Sequence, residues 1–126
     1  MEKIKKLKLA IKAKGIILLS LCVIHTIGSY FEYYNIKTEM SEFLVIQYIL
    51  WFLGLGFFLG FMGLVDLMVL GGIEKKEVLS HRIAIVSAMS TTFIGVIGTV
   101  GLSFELSPPY LIFLIGVVAL YFLYKK

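Results

Sequence analysis

Residues 43–73 read FLVIQYILWFLGLGFFLGFMGLVDLMVLGGI, and Asp66 is the one charged residue among them. As a helix rising about 1.5 Å per residue, this run would be roughly 46 Å long, against a bilayer hydrocarbon core of roughly 30 Å. The stretch therefore predicts a membrane-crossing helix that tilts, bends or protrudes. Gly54, Gly56, Gly60 and Gly63 add close helix packing or a local bend.

Three further apolar runs flank it, at 15–34, 83–103 and 109–124. Connections of a few residues force neighbouring spans to run antiparallel. Backbone amides in hydrocarbon must find partners within their own element, and the runs lack the alternation of a membrane barrel strand, so each span is expected to be helical. The expected fold is all-α: a polytopic membrane protein with an antiparallel four-transmembrane-helix bundle over 15–126, preceded by a short basic amphipathic segment, 1–14. Pro108 and Pro109 suit the start of the fourth span, where a missing amide proton costs little. With 60% apolar residues, 16% charged residues and a mean hydropathy of +0.97, the 126-residue chain is neither a soluble enzyme nor a disordered segment. Its single cysteine, Cys22, excludes an intrachain disulfide or a multi-cysteine metal site.

Charge gives the orientation. Lys3, Lys5, Lys6, Lys8, Lys12 and Lys14 fall on one side with Lys75, Lys76 and Arg82 and with Lys125 and Lys126; of the 12 basic residues only Lys37 falls on the other. The positive-inside bias then puts both termini and the middle loop in the cytoplasm, and the connections at 35–41 and 103–107 outside. Glu32, Glu39, Glu42, Gln47 and Glu105 make the outer boundary polar, beside Tyr30, Phe31, Tyr33 and Tyr34, which suit a water–lipid interface. The apolar run continues past Ile24 to Phe31 without a small-residue cleavage site, so the first span is expected to be retained rather than removed as a signal peptide. Lysine-rich usage with Arg82 as the only arginine matches an AT-rich bacterial genome. The expected location is the bacterial cytoplasmic (inner) membrane. Ile4, Leu7 and Ile11 form an apolar stripe between the lysines of 1–14, readable as an interfacial helix on anionic lipid or simply as a signal retaining this end inside. The partners are thus lipid, with a homo-oligomer or another membrane protein as a further candidate, and not nucleic acid.

Chemistry inside hydrocarbon would centre on His25 and Asp66. Measured from the span ends, the two fall at neighbouring depths on antiparallel helices, where contact would favour both charged forms. Ser87 and Thr91 would line the same polar layer. The plainer reading gives Asp66 to inner water or Lys75, and His25 to a helix carbonyl. Gly56 and Gly60 form a GxxxG pair extended by Gly63, and Ser87, Thr91, Gly95 and Thr99 recur every fourth residue, so these small faces are expected to pack helices within one chain or in an oligomer. His25 and His81 stand at different depths without a compact ligand motif, so neither a metal nor a cofactor is expected, and no nucleophile motif points to an enzyme.

In size, helix number and short loops the chain resembles the small multidrug transporters. Those carry a glutamate in the middle of their first helix, where this chain has His25, so drug export does not carry over. The function expected from the sequence is a non-enzymatic accessory or scaffold subunit. The alternative is a proton-linked small-solute transporter or channel using His25 and Asp66 within an oligomer.

Overall fold

The computed structural model describes residues 1–101 and 107–125, which form five helices and, among them, no strand. These are α1 (Glu2–Ile36), α2 (Glu42–Met68), α3 (Leu70–Glu74), α4 (Val78–Gly101) and α5 (Ser107–Tyr124). Most of the 103–107 connection, with Glu105, lies outside the described residues.

Two of the helical stretches are long and apolar enough to cross a membrane: Glu42–Glu74, which joins α2 to α3, and Val78–Val100 in α4; Pro109–Tyr124 is a shorter apolar helix. The first stretch is interrupted only at Val69, whose backbone stays near helical values (φ −81°, ψ −7°). α3 then closes tightly. Lys76 takes a left-handed φ of 60°, its N–H donates to Ile73 O at 3.1 Å, and the Glu77 N–H donates to Gly72 O at 2.8 Å. This paired closure is the usual way to end a helix in a left-handed residue, and it turns the chain into α4 within three residues. A Cβ on Gly72 would lie 1.8 Å from Ser80 Oγ, so the turn requires a glycine there.

α1 shows no break at residue 14, and the basic segment and the first apolar run form one helix. Glu2 lies in its first turn, where a carboxylate complements the helix dipole, and it pairs with Lys6 at 2.6 Å. The Ile4–Leu7–Ile11 stripe does not face outward as an interfacial helix would. Ile11 is buried with Val69, Ile73, Ala84, Ala88 and Ala119, and Leu7 packs against that cluster. Ile11 and Leu7 thus join the bundle's own core, with Ile4 at its edge.

Packing is densest within two hairpins, α1 with α2 and α4 with α5. Glycines set both approaches. In the first hairpin a Cβ on Gly63 would stand 2.7 Å from Gly15 O, one on Gly60 2.7 Å from Cys22 Sγ, and one on Gly56 2.6 Å from His25 Cβ. In the second, a Cβ on Gly95 would lie 2.4 Å from the Phe113 N, and one on Gly116 2.7 Å from the Thr92 N. Gly54 faces open space. The Gly56–Gly60–Gly63 groove is therefore filled by the chain's own α1.

Two apolar clusters hold the hairpins together. One gathers around Ile11, Ile73, Ala84 and Leu123, the other around Leu18, Leu21, Leu59 and Ile112. On α1 and α2 one buried charged residue separates them, and α4 adds one buried hydroxyl within the first cluster.

Candidate functional site

Those three residues are Lys14, Asp66 and Ser87, only 2%, 1% and 2% exposed respectively. α1 brings in Lys14 one turn after Ile11, α2 brings Asp66 one turn before Val69 and Leu70, and α4 brings Ser87 between Ala84 and Ala88. Lys14 Nζ donates to Asp66 Oδ2 in a buried ion pair and to Ser87 Oγ at 2.9 Å. Ser87 Oγ in turn donates to Asp66 Oδ1 at 2.8 Å. The three groups form a closed ring in which both carboxylate oxygens accept a bond. Burying either charge alone would be expensive, and it is the mutual pairing that makes burial tolerable. The ring also joins the hairpins, because Lys14 and Asp66 belong to one and Ser87 to the other.

His25 is elsewhere. Its ring lies 4.5 Å from that of Phe52, tilted by 36°, and its Cβ sits over Gly56; its buried Nδ1 has no hydrogen-bond partner among the described residues. Asp66 takes Lys14 and not His25 because the turn after α1 fixes the antiparallel register. Counting equally back from Ile36 and forward from Glu42 brings His25 beside the turn holding Phe52, and Lys14 beside the turn holding Asp66. Thr91 is fully buried one turn from Ser87, but its Oγ1 donates to Ser87 O at 2.8 Å instead of entering the ring. Thr92 and Thr99 bond back in the same way to Ala88 O and Gly95 O. The α4 hydroxyls other than Ser87's that face inward thus serve their own helix. In the sequence Lys14 stands at the end of the basic 1–14 run, and its burial sets it apart from Lys3, Lys5, Lys6 and Lys12, which are exposed.

Replacing His25 by phenylalanine keeps the ring against Phe52 and removes the unpartnered nitrogen. His25→Phe also gives up the ring's interaction with the Phe52 backbone, so it is expected to unfold at nearly the same denaturant concentration as the parent chain. A loss above about 1.5 kcal/mol, beyond what a near-isosteric exchange costs, would show that the imidazole has a polar role.

No group of three His, Cys, Asp or Glu side chains converges as metal ligands among the described residues. No family model, curated protein or solved structure matches the chain.

Proposed function

We propose that the chain crosses the bacterial inner membrane four times, with both termini in the cytoplasm, and serves as a non-enzymatic accessory or scaffold subunit. The observation that carries this reading is the Lys14–Asp66–Ser87 ring, in which the interior's charged groups are consumed by one another and tie the two hairpins into one body. The surface supports a lipid setting. Trp51 is 81% exposed, and Ile24, Phe57, Phe61, Phe93 and Leu114 also point outward. In water so many exposed large apolar side chains would drive aggregation, whereas lipid or a partner's membrane helices would accept them. Tyr30, Phe31, Tyr33 and Tyr34 contact one another edge to face at the end of α1, with Lys37 Nζ 4.3 Å over the Tyr34 ring, as suits an outer interface.

The alternative, proton-linked transport of a small solute, is favoured by the presence of ionisable groups at such depth, which in membrane proteins often mark ion paths. With His25 apart, Asp66 and Lys14 would carry the proton. Reconstitution in liposomes containing a pH-sensitive dye separates the two. The scaffold reading expects proton leak equal to that of protein-free vesicles at every applied pH gradient. A flux present in the parent chain and abolished in Asp66→Asn would replace it with the transport reading.

A further inference from the structure

The ends of α1 and α4 that meet near the α3–α4 turn enclose a groove of about 480 Å³. Its floor is apolar, formed by Ile4, Leu7, Ile73 and Ile85. Leu7 and Ile85 pack on the core cluster that contains Ile73, so this floor is a rigid edge of the bundle. Its rim is basic. Lys76, His81 and Arg82 line it, and among the described residues their side chains have no hydrogen-bond or ion-pair partner. Glu77, the one acidic residue on the rim, accepts a bond from Ser80 Oγ at 3.1 Å. Nearby, Lys8 and Glu74 are spent on each other. The groove thus presents two unpaired cations, Lys76 and Arg82, beside a fixed apolar floor.

We infer that this groove binds one anionic phospholipid of the cytoplasmic leaflet, its phosphate held by Lys76 and Arg82 and an acyl chain laid along Leu7, Ile73 and Ile85. The inference rests on the membrane-spanning reading above, which places this end of the bundle at the inner headgroups. Charge complementarity selects the headgroup, because cations beside the cytoplasmic leaflet attract anionic lipid. The apolar floor selects a lipid over a free anion, since a soluble phosphate would leave Leu7 and Ile85 uncovered. Lys76 contributes in an unusual way. It holds a left-handed backbone position where glycine is the common residue, and so keeps a cation on the rim at some conformational cost.

The test uses the full-length chain in neutral detergent, titrated with phosphatidylglycerol or phosphatidylcholine and followed by native mass spectrometry. One phosphatidylglycerol is expected to stay bound, with a preference of roughly tenfold or more over phosphatidylcholine. Lys76→Gln combined with Arg82→Gln should reduce that preference to near unity, while Lys5→Gln with Lys12→Gln, on exposed parts of α1, should leave it intact. Glycerol phosphate should not displace the lipid. Equal retention of the two lipids by the parent chain, which needs no variant, would overturn the inference, as would unchanged selectivity in the Lys76/Arg82 variant or displacement by glycerol phosphate. Resistance of the chain to alkaline extraction from membranes, measured in parallel, reports on the spanning reading by itself: an extracted chain overturns both, whereas an integral chain without lipid selectivity overturns only the groove.

Discussion

Asp66→Ala is expected to destabilise the folded chain by about 3–5 kcal/mol, because it leaves the Lys14 ammonium buried without its counter-charge. Lys14 is 2% exposed and its other bond is to Ser87 Oγ, a neutral acceptor. The cost should come chiefly from stranding a charge and not from losing a favourable contact. That distinction is open to experiment. Lys14→Met combined with Asp66→Leu removes both charges together and fills the space with apolar atoms, and should recover most or all of the loss. Ser87 could then bond back to its own helix, as Thr91 and Thr92 already do. Reversible unfolding in mixed micelles, with the parent, Lys14→Met, Asp66→Leu and the double substitution compared as a double-mutant cycle, reads the coupling directly. If the double substitution lost as much as the sum of the single ones, the two side chains would not be acting on each other.

Glycine substitutions should fall into an order set by what each new methyl group meets. At Gly95 it would meet the Phe113 backbone at 2.4 Å, and at Gly63 the Gly15 carbonyl oxygen at 2.7 Å, and backbone atoms cannot turn aside. Gly95→Ala and Gly63→Ala must therefore push their helices apart, at a cost of about 1–3 kcal/mol or more. At Gly60 the nearest obstacle, Cys22 Sγ at 2.7 Å, can turn aside but Cys22 Cβ at 2.9 Å cannot, so Gly60→Ala should cost less than Gly95→Ala yet still destabilise. Nothing lies within 4 Å at Gly54, and Gly54→Ala should be neutral or stabilise by up to about 1 kcal/mol through helix propensity. The same unfolding titration measures all four. Equal effects at Gly54 and Gly95 would mean that these helices do not meet as described.

Much of the helical architecture was legible because it follows from composition and spacing. The run at 43–73 had to be helical once its backbone lacked polar neighbours, and the glycine spacing on α2 marked the face that α1 occupies. Asp66 and Ser87 stood out as polar residues on apolar helices. Lys14 did not, since it ends a run of lysines that read together as one basic segment. Its face was nevertheless encoded. Ile4, Leu7, Ile11, Lys14, Leu18 and Leu21 succeed one another at steps of three and four, and a lysine within such a stripe points where the stripe points. Pairing His25 with Asp66 failed for a different reason. Depth measured from span ends ignores that α1 begins at Glu2, well before the apolar run, and that the short turn between Ile36 and Glu42 sets which residues stand opposite. The basic rim of the groove was read only as an orientation signal, because the linear sequence does not show that Ile4 and Leu7 reach Ile73 and Ile85 beneath it.

Lys14 and Asp66, distant in sequence, meet inside the bundle. Solid-state NMR on bilayer-embedded protein, recoupling ¹⁵Nζ of Lys14 with ¹³Cγ of Asp66, measures that contact. A strong dipolar coupling at direct-contact separation is expected, with both signals protected from exchange with bulk water. A weak or absent coupling, with the two side chains exchanging freely or Asp66 coupled instead to the His25 ring, would contradict it.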